Sequence, residues 1–146
     1  NIKSYKDVLI KLFMEGQDSY RNKVLVGLHE NATFGRSLHQ TYERIAVAKG
    51  FECDFAQDVS QMLRLSIGRS HRFYAMDLNL GNPGGEDLLS AQSIYQIIHP
   101  RMREKEAYFI GLSGSQAIVD RARELRIPAE LKSDFSFAKF LDQGFN

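Results

Sequence analysis

A single cysteine, Cys53, makes up the thiol inventory of this chain. It excludes an internal disulfide, and in a presumed strand it reads as a small core residue rather than a nucleophile. No apolar run reaches the length of a bilayer-spanning helix, and the amino terminus lacks the basic-then-apolar pattern of a secretory signal. A cytoplasmic setting without membrane insertion is the expectation. Charge of one sign is also missing: 19 basic against 18 acidic residues leave a net charge of +1, which offers no field for direct nucleic-acid or membrane binding. Arg64, Arg69, His71 and Arg72 accordingly read as a solvated helix end and loop. No histidine pair stands at zinc-ligand spacing, and Asn82-Pro83-Gly84-Gly85 lacks the Gly-Lys-Ser/Thr ending of a phosphate-binding loop. There is no internal repeat or low-complexity segment, and Asn1 in place of Met reads as a cut or processed start. What is present, 146 residues of which 43% are hydrophobic and 25% charged, suits one globular domain with a sizeable core.

Along the chain, Ile2, Tyr5, Val8, Leu9, Leu12 and Phe13 recur at helical spacing, so residues 1–20 read as an N-terminal helix, a connector or a dimerisation element. The main domain is expected over 21–146. Lys23 to Leu28 is a buried strand, and Thr33 to Lys49 an amphipathic helix stopped by Gly50. Phe51 to Ala56 is a weaker strand, followed by a short helix around Val59, Met62, Leu63 and Leu65 that closes at Gly68. Phe73 to Asp77 is a third strand; Glu86 to Ile98 is a helix that Pro100 ends. Tyr108 to Leu112, a helix through Ile118, Val119, Ala122 and Leu125 up to Arg126, a minimal strand Ala129 to Leu131, and a last helix Phe137 to Leu141 complete the chain. Phe135 and Phe137 read as core residues of that last helix. Strand and helix alternate five times, which predicts an α/β fold: a five-stranded parallel sheet, doubly wound, with the extra N-terminal helix.

Polar residues gather at one edge of that sheet. Apolar residues run up to Asp77 and a glycine-rich loop follows at once, so a buried strand presents one acid at its carboxyl end, where open α/β sheets place their chemistry; the alternative is an Asp that caps its own turn. His29 and Glu30 follow the first strand, Ser113 the fourth and Lys132 the fifth. A carboxylate, a hydroxyl and a lysine beside a further acid suit transient phosphorylation of Asp. Two unit charges 4 Å apart repel by about 4 kcal/mol at an effective dielectric near 20, so the carboxylate needs cationic help to meet a phosphoryl anion.

In these residues the chain resembles the receiver domain of two-component response regulators, over roughly Asn22 to Leu141. Asp77-Leu78-Asn79-Leu80-Gly81-Asn82-Pro83-Gly84-Gly85 matches the phosphoacceptor motif, Ser113-Gly114 the Thr/Ser-Ala/Gly pair, and Lys132-Ser133 part of Lys-Pro. The resemblance implies a CheY-like, flavodoxin-like fold in which Asp77 accepts phosphate from a histidine kinase or phosphotransfer protein. It further implies that Ser113 hydrogen-bonds the phosphoryl group, Lys132 pairs with its charge, and Asn79 offers its backbone carbonyl to Mg2+ together with Asp77 and Glu30. Such a domain is a signalling module rather than a free-standing enzyme, catalysing at most its own phosphorylation and dephosphorylation. It passes the signal to a downstream effector domain or protein and in some cases forms a homodimer.

The departures from the motif are equally specific. Leu28-His29-Glu30 stands where the family has two adjacent acids; one register puts His29 at the metal-binding position and a one-residue shift puts Glu30 there, and both stay open at this stage. Glu suits magnesium, whereas neutral His suits it poorly. Ser133 replaces a proline, and Ala129 an aromatic switch residue. These gaps support an alternative, a pseudo-receiver that binds a partner without phosphorylation. A hydrolase reading from Gly111-Leu112-Ser113-Gly114-Ser115 lacks the last glycine of the nucleophile elbow, and His29, His39, His71 and His99 all precede Ser113, where that fold needs its base downstream.

Overall fold

The computed structural model describes residues 5–9, 19–29, 34–82 and 85–145. Its strands are β1 (Lys23–Gly27), β2 (Glu52–Ala56), β3 (Phe73–Asp77), β4 (Tyr108–Ser113) and β5 (Ala129–Leu131). Its helices are α1 (Phe34–Ala48), α2 (Val59–Ile67), α3 (Leu88–Arg103), α4 (Gln116–Glu124) and α5 (Phe137–Asp142), with short 3-10 segments at Ser19–Asn22 and Gln143–Phe145. Residues 5–9 are helical, as expected for the N-terminal helix, and Tyr5, Val8 and Leu9 are exposed; the rest of that stripe lies outside the described residues. Among the described residues, no helix is long and apolar enough to cross a membrane.

The strands form one parallel sheet in the order β2-β1-β3-β4-β5. Successive side chains of a strand point to opposite faces, so β3 divides between two cores. Tyr74 and Met76 join Leu25, Met62, Ile94, Ile98 and Val119 under α2, α3 and α4. Phe73 and Ala75 join Val24, Val26, Phe137 and Phe140 under α1 and α5. Because both faces are covered, β1 and β3 are continuous apolar runs, whereas edge strand β2 alternates exposed and covered positions. Each fully buried aliphatic side chain contributes about 1.5–3 kcal/mol, and Leu25, Met62, Ile94 and Ile98 are in that state.

Helix starts follow local chemistry. Asp58, Asp87, Ser115 and Ser136 each accept a backbone N–H of the first turn they precede, at 2.8, 3.1, 3.4 and 3.3 Å. Gly50, at φ +82°, turns the chain out of α1 in a left-handed conformation. Gly68 caps α2 with an ordinary φ of −66°, and the left-handed residue is the next one, Arg69.

Two expectations are corrected. Pro100 does not end α3, which continues through it to Arg103. The proline lacks the N–H that would bond one turn back, but Arg101 in the last turn anchors the helix to groups outside it. Its guanidinium donates to the Tyr74 hydroxyl at 2.8 Å and the His71 carbonyl at 2.7 Å. The group Arg64, Arg69, His71 and Arg72 is likewise not uniformly solvated. Arg64 and Arg69 are exposed, whereas His71 is buried and Arg72 lies over the rings of Phe73 and Tyr108. Tertiary contacts from β2, β4 and α3 cover a segment that is polar in isolation.

Cys53 and Phe135 are half-buried and Phe137 is buried against the α1–α5 core, as expected. Burial, then the charges of Asp54 and Glu43, pushes the Cys53 thiol up to about 12, which removes thiolate chemistry.

Candidate functional site

Register brings the polar residues together. Asp77, the last residue of β3, lies level with Leu112, and β4 runs one residue further to Ser113. Ser113 is level with Leu131, the end of β5, and the next N–H, that of Lys132, donates to the Ser113 carbonyl at 2.9 Å. The Lys132 ammonium then reaches back to Asp77, with Nζ 3.0 Å from Oδ1. Asp77, Ser113 and Lys132 therefore meet at the carboxyl edge of three adjacent strands.

The fourth element is β1. Gly27 is level with Met76, so Leu28 is the residue level with Asp77; it is buried in the core and donates its N–H to Ala56 at 2.9 Å. His29 comes next. Its backbone hydrogen-bonds Asp77 and its imidazole is near enough to influence the Asp77 ionisation. The Nε2 atom of His29 is buried with no hydrogen-bond partner among the described residues. Glu30 lies outside the described residues.

Asp77 is 4% exposed. Burial raises its pKa above the ordinary carboxylate range; the charge and hydrogen bond of Lys132, and then His29, oppose that rise. Lys132 is more than a third exposed, so its stem packs inward while its ammonium bridges Asp77 and solvent. Ser113 is 8% exposed, and its Oγ accepts the Ser115 N–H at 3.1 Å, leaving the hydroxyl proton available to an oxygen ligand. Gly111 is set by packing: a side chain there would strike Leu78, with a Cβ only 2.5 Å from Cδ2. The elbow-like glycine thus has a steric reason that is unrelated to hydrolysis.

The loop after Asp77 is a chain of turns. The Asp77 carbonyl accepts Leu80 N–H at 3.1 Å, and the Asn79 carbonyl accepts Asn82 N–H at 2.9 Å. The carbonyl expected to face a metal is therefore already engaged by one donor. Beyond the loop, the Glu86 carboxylate pairs with Arg121 of α4 at 2.6 Å.

Magnesium asks for an octahedron of oxygens, most often with more than one carboxylate in its neighbourhood. The described donors are one carboxylate already paired with Lys132, one carbonyl already in a turn, and an imidazole; the position level with Asp77 is apolar Leu28. Among the described residues, no group of three His, Cys, Asp or Glu side chains stands ready for a metal. Among the described residues this donor set is short of carboxylate oxygens for magnesium, and Glu30, the remaining expected ligand, lies outside them.

Tyr42 beside the site and a polar cluster at the far end of the same strand are not marked by any motif in the sequence. Tyr42, on the inner face of α1, packs on Phe137 at 4.7 Å between ring centroids, and burial followed by the Asp77 charge pushes its hydroxyl up to about 12. Its phenol on the apolar stripe of Phe34, Leu38 and Ile45 was the only available signal. At the opposite end of β3, His71, Asp54, Arg101 and Tyr74 form a polar cluster whose members are scattered along the chain, with no shared motif to mark them.

No family model matches the chain, and no curated protein matches it by sequence. Solved structures do. A response regulator protein from Burkholderia pseudomallei, with a phosphorylated aspartic acid, calcium ion and citrate, superposes with TM-score 0.60 at 20% identity over 83% of this chain and 65% of that one. The chain thus spans about two thirds of that protein. A response regulator receiver domain protein from Clostridium thermocellum gives 0.61 at 17% identity, over 85% and 94%. The receiver domain of a Pseudomonas aeruginosa sensor histidine kinase, with magnesium coordinated in its active-site cleft, gives 0.56 at 17%, over 84% and 95%. At these identities the likeness establishes the fold: the chain has the CheY-like fold of response-regulator receiver domains.

Proposed function

We propose that residues 21–146 form a receiver domain of a two-component phosphorelay in which Asp77 accepts a phosphoryl group, and that residues 1–20 connect it to a neighbouring element. The single observation that carries this reading is the Asp77–Lys132 pair, 3.0 Å apart beside Ser113 at the carboxyl edge of the sheet. A carboxylate oxygen attacks phosphorus as the bond from phosphorus to the imidazole nitrogen of a phosphohistidine donor breaks; the departing imidazole takes a proton from solvent. Lys132 shifts its charge from the carboxylate to the phosphoryl oxygens, and the Ser113 hydroxyl donates to one of them. Histidine kinases or phosphotransfer proteins are the donors of suitable chemistry, a downstream effector receives the changed surface, and the setting is cytoplasmic. A homodimer is compatible with this role. Any enzymatic activity is confined to the domain's own phosphorylation and dephosphorylation.

The test is intact-mass measurement after exposure to acetyl phosphate, in separate buffers containing each divalent salt. Gain of one phosphoryl group in the wild type and none in Asp77→Asn is the expected result. An unmodified wild type in every buffer, or equal modification of the variant, would sink the reading. The pseudo-receiver alternative is favoured by Leu28 at the level of Asp77 and by Ala129 in the place of an aromatic residue. Under it the wild type stays unmodified and Asp77→Asn leaves partner binding intact.

A further inference from the structure

β4 runs for six residues, but its neighbour β5 has only three and covers it from Gly111 onward. The first half of β4 is therefore a free sheet edge. Tyr108 N–H bonds Arg72 on the β3 side at 2.8 Å, and Gly111 N–H bonds Pro128 on the β5 side at 2.8 Å. Successive residues of a parallel strand alternate in this way, so Phe109, two before Gly111, turns its N–H and C=O to the β5 side. Pro128 stands opposite the Phe109 carbonyl and has no N–H to give. Two residues earlier Arg126 adopts a left-handed φ of +62°, which takes the chain off the ladder before it reaches the Phe109 N–H. Phe109 is 3% exposed, yet neither of its peptide groups has a hydrogen-bond partner among the described residues. A buried main-chain pair of that kind is costly until something meets it.

A cleft of about 530 Å³ lies along this edge, within the size range of ligand pockets. Met102 borders it from the end of α3, and Phe135 and Phe140 border it from the α5 side. It therefore takes in both faces of the sheet, at the place where a longer β5 would lie. The Phe109 ring packs on Tyr95 at 5.3 Å in the α2–α4 core, which leaves the main chain of Phe109 to face the cleft. We propose that this cleft receives an extended, basic peptide segment of a partner protein, which adds a short strand to the free edge of β4. In an antiparallel pair two residues exchange both of their main-chain bonds, so one incoming residue satisfies Phe109 completely. Main-chain bonds give such strand addition its affinity, and contacts to alternate side chains give it specificity. Tyr108, Ile110, Phe135 and Phe140 offer an apolar wall to one side chain of the segment. Glu130 and Asp134 line the same cleft against a single cation, Lys139, so a Lys or Arg is favoured there over an acid. The cleft contains no residue of the Asp77 cluster, and the inference does not rest on the phosphoacceptor reading.

An immobilised array of random, end-blocked heptapeptides probed with the full chain tests the idea. Bound peptides should share a Lys or Arg beside β-branched or aromatic residues. When the tightest of them is titrated into the protein, the Phe109 amide should show the largest NMR shift. Methylating each backbone nitrogen of that peptide in turn should cut affinity by about tenfold at one position, because a main-chain bond to Phe109 is lost while the protein is untouched. Glu130→Lys combined with Asp134→Lys, checked for folding by circular dichroism, should weaken binding, and Lys139→Glu should tighten it. Absence of any saturable binder, a preference for acidic peptides, shifts that avoid Phe109, or indifference to backbone methylation would overturn the inference. So would self-association of the chain that the double substitution removes, since a second copy would then occupy the edge.

Discussion

The two ends of β3 hold buried polar groups of opposite design. Near its start, the Arg101 guanidinium donates to Tyr74 and to the His71 carbonyl and lies against the rings of Tyr20 and Tyr74, at 5.4 and 5.7 Å, while His71 Nε2 meets Asp54 at 2.7 Å. At its end, Asp77 is buried with one half-exposed cation, a hydroxyl beside it and an imidazole nitrogen that has no partner among the described residues. Both regions are polar spots within an apolar sheet. The first spreads its contacts over the 3-10 turn, β2, β3 and α3, so that each group fixes another. The second concentrates acceptors and donors at an open edge where a ligand can enter. Each end also buries one histidine nitrogen without a hydrogen-bond partner among the described residues, Nδ1 of His71 and Nε2 of His29, so what separates a structural joint from a site here is cross-linking between elements against an open strand edge.

The joint is where the largest loss of stability is expected. Arg101→Ala strips a charged donor from Tyr74 and from the His71 carbonyl and leaves two aromatic faces uncovered. Urea unfolding should show a loss of about 3 kcal/mol. A loss below about 0.5 kcal/mol would mean that the two ends do not differ in the way described.

Titration sharpens the contrast, because the two ends respond to pH with opposite sign. Burial lowers the His71 pKa, with the Asp54 hydrogen bond working against it. The unfolded chain therefore takes that proton first as pH falls. The His71 contribution is full above about pH 6.5, where an unfolded histidine titrates, and is lost as pH falls through the lower folded value. The Asp77 pKa is raised, so its contribution is full below the unfolded carboxylate pKa, about 4, and is lost as pH rises through the folded value. Unfolding midpoints against pH should lose their acid-side fall in His71→Phe. They should lose the decline above about pH 4 in Asp77→Asn, which also gains on the order of 1 kcal/mol at neutral pH by removing a buried charge. Parallel curves for the wild type and both variants would contradict this assignment.

The smallest effect should come from Arg121→Ala. The Glu86–Arg121 pair spans from the loop after Asp77 to α4, but the arginine is half exposed, and such pairs contribute at most about 1 kcal/mol. Unfolding should change by less than that, whereas hydrogen exchange in the loop around Asn82 to Asp87 should quicken. Unchanged exchange would show that the pair does not hold the loop.

Much of this arrangement was legible in the chain itself. Continuous apolar runs marked β1 and β3, three-to-four spacing marked the helices, and Asp77, Ser113 and Lys132 each stood directly at a strand end. In a parallel sheet, strand ends converge on one edge, so order along the chain was enough to group them. Pro100 was misread because propensity acts locally, while Arg101 anchors the helix through contacts with residues about thirty positions earlier. His71 was misread for the same reason: nothing within its own segment covers it.

By itself, then, the sequence determined the alternation of strands and helices, the doubly wound parallel sheet and the candidate acceptor, since these depend on periodicity and order. Only the tertiary structure decided that Leu28 is the residue level with Asp77, that the His29 side chain has a buried nitrogen without a partner among the described residues, and that Arg101 and His71 form an interior joint. Those facts depend on the register between strands and on burial by distant segments, neither of which a single stretch of chain can specify.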